Sequence, residues 1–184
     1  DGSAIITDGT FDVAKADSTT WFGNAYNPVD GVNVSNNETF ETSNAYDVNL
    51  SGSVVLTPGA DYTLTFDAKG EAGRTFIAGI GENGGSYRND VETVTISADW
   101  ETYTLHLTAT GADGANFEGA MRVLFDMGLD AGAINLDNIS VTAGHNGTAV
   151  LEAPTNEVAD LITDGTFDVA KADSTTWFGN AYNP

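Results

Sequence analysis

The chain has no cysteine in its 184 residues. That excludes a disulfide framework and any thiolate nucleophile or thiolate metal site. Basic residues are also scarce: six Lys and Arg stand against 27 Asp and Glu, for a formal charge of -21. Such a surface repels phosphate backbones and anionic lipid, which argues against nucleic acid and membrane surfaces as partners and leaves neutral molecules and cations. No run is apolar enough to span a bilayer. No signal peptide opens the chain, and a processed segment would look the same. Histidine occurs only at His106 and His145, with no recognisable nucleophile beside either, so covalent catalysis finds little support. Among so many acids some carboxylate pair always lies at a workable distance for glycoside hydrolysis, and such a pair carries no information by itself. The composition reads as a binder and not as an enzyme.

What the chain does have is a copy of part of itself. Ile6 to Pro28, ITDGTFDVAKADSTTWFGNAYNP, returns unchanged as Ile162 to Pro184, 156 positions later. The identity extends to surface-type residues such as Lys15, Asp17 and Ser18, which folding alone does not demand because exposed substitutions usually cost little. The organisation expected from this is a module over 1–143, a linker over 144–159, and the start of the next identical repeat over 160–184, available for strand exchange. The linker reading rests on periodicity that fades after Gly144 into a stretch with Pro154, Asn156 and two Glu.

Within the module, alternation with period two dominates and no helical stripe is convincing. Tyr62, Leu64, Phe66 and Ala68 alternate with Asp61, Thr63, Thr65 and Asp67, the pattern of a half-buried strand. Tyr46, Val48 and Leu50 with Val54 and Leu56, then Tyr103, Leu105 and Leu107, then Met121, Val123, Phe125 and Met127 repeat it. Gly, Asn and Asp clusters separate these runs, as in an all-β antiparallel sandwich. Between Leu136 and Ile139 the apolar parity switches, so one residue is left over, and a bulge at Asp137-Asn138 would absorb it and re-aim the Asp137 carboxylate. Asn-X-Ser/Thr triplets at Asn33, Asn37, Asn49, Asn138 and Asn146, the acidity and the repeat together suggest an extracellular or cell-surface location.

An ordered set of motifs then stands out: IITDGTFD at the start, Trp21, NAYDVNL at 44–50, DYTLTFDAK at 61–69, GENGGSY at 81–87, DWETYTLHLTA at 99–109, RVLFDMG from Arg122, and INLDNISVT at 134–142. In order and spacing the chain resembles the carbohydrate-binding modules of family 4 and its relatives 9, 16 and 22. The resemblance implies a jelly-roll β-sandwich of two antiparallel sheets. It implies a structural calcium held by the Thr10 carbonyl, the Asp12 side chain and Asp137, with backbone oxygens around Glu41 to Asn44 completing an all-oxygen shell. It implies a glycan groove on the concave sheet, with aromatic rings against sugar faces and polar groups against hydroxyls. Arg122 and Asp126 match the polar pair on that sheet, and Tyr87 matches a loop tyrosine that stacks on sugar, with Arg88 and Asn89 beside it. Trp21 and Tyr26 are further candidates, with Trp21 equally suited to anchor the inner face. Where some relatives carry arginine on the strand before GENGGSY, this chain has Ile77, with Arg74 out of phase.

The function expected is a non-catalytic, extracellular module for β-glucan-type polysaccharide, in a tandem array that gains avidity on a polymer. The alternative is a structural repeat of a surface fibre, filament or adhesin, with calcium and strand addition between neighbouring copies.

Overall fold

The computed structural model describes residues 4–35 and 44–145. Glu41 and the duplicated segment after the expected linker lie outside the described residues. The strands are β1 (Trp21–Phe22), β2 (Pro28–Val29), β3 (Val32–Ser35), β4 (Asn49–Val54), β5 (Asp61–Gly70), β6 (Thr75–Glu82), β7 (Asn89–Thr95), β8 (Glu101–Thr108), β9 (Met121–Asp126) and β10 (Ile134–Ala143). They form two five-stranded antiparallel sheets, β1-β4-β9-β6-β7 (sheet A) and β2-β3-β10-β5-β8 (sheet B). This is the sandwich that the alternation implies.

The core lies between the sheets because each presents one parity inward. On β5, Tyr62, Leu64, Phe66 and Ala68 are buried, and on β9 Met121, Val123 and Phe125 are. Phe66 of sheet B meets Phe125 of sheet A edge-on at 5.2 Å and stacks on Tyr103 at 5.5 Å. Fully burying one such side chain is worth about 1.5–3 kcal/mol. The pairing of β10 with β5 slips by one residue between Asp137 and Ser140, with Asn138 at φ 50°. This is the bulge that the parity switch requires, and it keeps Leu136, Ile139 and Val141 all buried.

The opening segment is built into this core. The Ile5 amide donates to the Val141 carbonyl at 2.7 Å, and the Ile139 amide donates to the Gly9 carbonyl at 2.9 Å. A Cβ on Gly9 would stand 1.9 Å from the Ile139 carbonyl oxygen, so only glycine allows the segment to lie this close to the bulge.

Two expectations change here. Tyr46 does not continue the β4 parity. It sits in a 3-10 helix, Ala45–Asp47, where Asn44 and Asp47 form a reciprocal capping box, and it is exposed. β7 has no counterpart among the expected strands, because as an edge strand it buries only Val94 fully and shows little alternation.

β7 also depends on a glycine. A Cβ on Gly79 would lie 2.2 Å from the Asp90 carbonyl oxygen and 2.8 Å from the Val91 Cα. Gly79→Ala is therefore expected to destabilise the fold by about 1–3 kcal/mol, read by denaturant unfolding, with faster amide exchange confined first to β7.

Candidate functional site

The outer face of sheet A is organised in rows by strand register. Asn49, Asp126, Ile77 and Thr93 stand side by side across β4, β9, β6 and β7. The next row is Ser51, Leu124, Gly79 and Val91, and the third is Ser53, Arg122, Gly81 and Asn89. The two glycines leave room for larger neighbours to close over them: Val91 lies against the Gly79 position and Leu124 against Gly81.

These rows floor a cleft of about 690 Å³ lined by Ala45, Tyr46, Asn49, Ile77, Tyr87, Asn89, Val91, Arg122, Leu124 and Asp126. Its centre is an apolar strip of Ile77, Val91 and Leu124, with amide, carboxylate and guanidinium groups around it. Two tyrosines stand at its rim, Tyr46 64% exposed and Tyr87 60% exposed. A pyranose has an apolar face and a hydroxyl rim, so an apolar strip with polar flanks and free rings suits it.

The polar groups are held in place. The Asn49 amide nitrogen donates to Asp126 Oδ1 at 2.5 Å, and Ser51 Oγ donates to Asn49 Oδ1 at 2.7 Å. Arg122 Nη1 donates to Ser51 Oγ at 3.0 Å. Burial pushes the Asp126 carboxyl above its ordinary pKa, against the hydrogen bond from Asn49 and the charge of Arg122, both of which lower it.

Of the expected sugar-contacting residues, Tyr87, Arg122 and Asp126 meet in this cleft, with Asn89 beside them. Trp21 and Tyr26 do not. Trp21 is 4% exposed, packs on Phe11 at 4.9 Å and donates through Nε1 to the Asp8 carbonyl at 2.7 Å. Tyr26 is buried beside the same Phe11. Both are core anchors: β1 turns Trp21 inward over Gly52, and Tyr26 follows in the segment after it, packed toward Phe11. Arg88 is also displaced from the expected role. It bridges buried Glu82 at 3.1 Å and Asp113 at 3.0 Å, tying two loops together.

Tyr46, Asn49, Val91 and Leu124 also line the cleft, though the sequence does not mark them as sugar contacts. A signal for Tyr46 was present in the Asn44 and Asp47 capping spacing, which marks the start of a helical turn. Asn33, a glycosylation-type triplet, is buried and bonded to the Asn27 amide and the Ala25 carbonyl, so it is no glycan acceptor.

Of the expected calcium ligands, Thr10, Asp12, Asn44 and Asp137 lie among the described residues. A Cβ on Gly31 would lie 3.4 Å from Asp12 Oδ1 and 3.6 Å from the Thr10 carbonyl oxygen, so both oxygens border the Gly31 position. Thr10 Oγ1 donates to Asp12 Oδ2 at 2.7 Å. Burial first, then the nearby charges of Asp67 and Asp12, pushes the Asp137 carboxyl up, against the Asn138 amide that donates to it at 2.6 Å. Asn44 serves as the cap of the 3-10 helix. Among the described residues no three acidic or histidine side chains are grouped closely enough to hold a metal by themselves. The donor set is all oxygen, suits a hard cation, and depends on backbone carbonyls.

Residues 3–121 match the family model described as a carbohydrate binding domain, covering families 4 and 9. Solved structures of the same fold include a family 4 carbohydrate-binding module, 24% identical with a TM-score of 0.61, covering 76% of this chain and 99% of that one. The N-terminal cellulose-binding domain of Cellulomonas fimi β-1,4-glucanase C is 20% identical with a TM-score of 0.58, covering 77% and 98%. The second such domain of the same enzyme is 19% identical with a TM-score of 0.60, covering 78% and 95%. No curated protein matches the chain. With more than half of its residues matched by the family model, the chain belongs to the carbohydrate binding domain family, whose members are non-catalytic binding modules.

Proposed function

We propose that this module binds a β-glucan chain along the outer face of sheet A, outside the cell, as one unit of a tandem array. The observation that carries this reading is the cleft itself. An apolar strip of Ile77, Val91 and Leu124 is flanked by Asn49, Asp126, Arg122 and Asn89 and overlooked by the rings of Tyr46 and Tyr87. A glucan with all-equatorial hydroxyls offers flat C–H faces to the strip and rings while its edges reach the polar flanks. The cellulose-binding domains of similar fold support the same ligand class. Ile77, where some relatives have arginine, makes the floor more apolar and favours neutral, unsubstituted sugar faces. The net charge of -21 disfavours acidic polysaccharides through like-charge repulsion. The duplicated segment supports an array, in which weak single sites gain avidity on a polymer.

Calcium belongs to this proposal as a structural ion on the Thr10 carbonyl, Asp12 and Asp137. When bound it would supply positive charge where Asp12 and Asp67 repel Asp137. It would also tie the opening segment to β10, which otherwise holds it through the Ile5 and Ile139 amides.

Isothermal titration with cellohexaose, laminarin, mixed-linkage glucan and xylan in calcium buffer tests the main reading. Saturable heat is expected with at least one β-glucan, weakened roughly tenfold by Tyr87→Ala. Silence across the panel would remove the glycan reading and leave the surface-fibre repeat in its place.

Affinity is also expected to fall in acid. Asp126 presents two charged acceptor oxygens only as the carboxylate, and its raised pKa means that it loses that charge above the ordinary aspartate range. Binding should weaken as pH drops through that raised value, and Asp126→Asn should flatten the profile. For stability the sign is opposite. The folded state holds this proton more tightly than the unfolded chain, so Asp126 costs stability as pH rises through the window from its ordinary to its raised pKa.

Asp137 gives a test of calcium with a change of sign. In chelator, Asp137→Asn relieves repulsion, keeps the acceptor for the Asn138 amide and raises Tm. In millimolar calcium the same substitution removes a ligand and lowers Tm, by several degrees for each ~1 kcal/mol lost. An equal shift in both buffers, measured by calorimetry, would rule the ion out.

A further inference from the structure

The loop that carries Tyr87 runs from Asn83 to Arg88 and is held by a carboxylate that does not line the cleft. Glu82, the last residue of β6, is 1% exposed. Its Oε1 accepts from Arg88 Nη1 at 3.1 Å and from the Glu118 amide at 2.9 Å, and its Oε2 accepts from the Arg88 amide at 3.0 Å. The main chain closes the same loop: the Glu82 amide donates to the Arg88 carbonyl at 2.8 Å and the Tyr87 amide donates to the Gly84 carbonyl at 3.1 Å. On its outer side the Arg88 guanidinium continues to Asp113, whose other oxygen accepts the Ala115 amide at 3.1 Å.

A buried carboxylate is expensive unless every lone pair is used, and apolar packing of similar volume is often as stable. Here the three donors come from two loops, and one of them belongs to the peptide that joins Tyr87 to Arg88. Tyr87 stands at φ 53°, a left-handed conformation that a residue with a side chain holds only where its surroundings impose it. Gly84 and Gly85, also at positive φ, make the bend that brings it there. The ring itself is mostly in solvent, so its place on the rim is set through the backbone. Desolvation would raise the Glu82 pKa, but hydrogen bonds from the Arg88 and Glu118 amides and from the guanidinium outweigh it and hold the carboxyl below its ordinary value. It is a charged acceptor at any neutral pH.

We infer that Glu82 is a positioning residue for glycan recognition: by clamping the Tyr87–Arg88 peptide against the 111–118 loop it fixes the Tyr87 ring as a preformed platform at the rim of the cleft. This rests on the glycan reading of that cleft. A platform fixed beforehand loses less freedom when a ligand arrives, so the clamp acts on affinity through Tyr87 and not through any contact of its own.

The test is a double-mutant cycle on the full chain with Glu82→Gln and Tyr87→Ala, read by calorimetric titration with cellohexaose, alongside hydrogen exchange at the Arg88 and Glu118 amides. The glutamine keeps the shape but loses the charge and one of the two acceptor oxygens. Glu82→Gln is expected to weaken binding about tenfold, to speed exchange at both amides by tenfold or more, and to cost nothing further once Tyr87 is alanine. An equal loss with and without the Tyr87 ring, or no loss in either background, overturns the inference. If Glu82→Gln does not fold, Asp113→Asn loosens the same guanidinium from its exposed end and must show the same dependence on Tyr87 in weaker form. Absence of binding by the unsubstituted protein defeats the glycan reading and the recognition role together. The exchange arm stays separate from that result, because unchanged exchange at Arg88 and Glu118 defeats the clamp whether or not sugar binds.

Discussion

The packing of Phe66 against Phe125 is the constraint on which the remainder rests. These rings, one from each sheet, fix which parity of β5 and of β9 faces inward. Period-two geometry then leaves no freedom on the other side of β9: with Val123 and Phe125 inside, Arg122, Leu124 and Asp126 must stand outside, on the floor of the cleft. A one-residue slip of this strand would bury a guanidinium and a carboxylate and expose Met121, Val123 and Phe125. The lining of the cleft is thus a by-product of core register. Its polar groups keep their places because the inner face cannot move.

Glycine sharpens that surface. Where the core needs bulk, β6 supplies Phe76, Ala78 and Ile80, and on the other parity it supplies Ile77 followed by Gly79 and Gly81. Side chains at the last two would hold β7 away. Without them the edge strand closes in and the centre of the face becomes a depression edged by Asn89 and Val91.

Much of this could be read in the sequence because it depends on local alternation. The inward set of β5 and the odd residue at Asp137-Asn138 were legible, the latter because two apolar parities met within eight residues. The sandwich followed from those patterns. The places of single rings did not, since a tryptophan serves equally as a sugar platform or a core anchor. What decides for Trp21 is a hydrogen bond to the Asp8 carbonyl and a neighbour, Phe11, supplied by a loop with no periodicity. The place of Arg88 is hidden for a related reason: one of its partners, Asp113, lies 25 positions away on another loop, and no pattern of either segment announces the other. Tyr46 was assigned to a strand because its parity agreed with Leu50, although the capping residues around it end that pattern.

The opening segment is the part of the molecule where sequence organisation and spatial organisation disagree. Ile6, Phe11, Trp21, Ala25 and Tyr26 belong to the core, so part of the core comes from the stretch that is duplicated at 162–184. Any window of one full period, wherever it starts between Ile6 and Val29, carries the same residues in the same cyclic order. Recombination between the two copies would therefore excise or insert a whole period without changing a single core side chain, and the crossover point within the copied stretch would leave no trace in the product. Duplication that includes buried residues thus lets the number of periods change while the module stays the same.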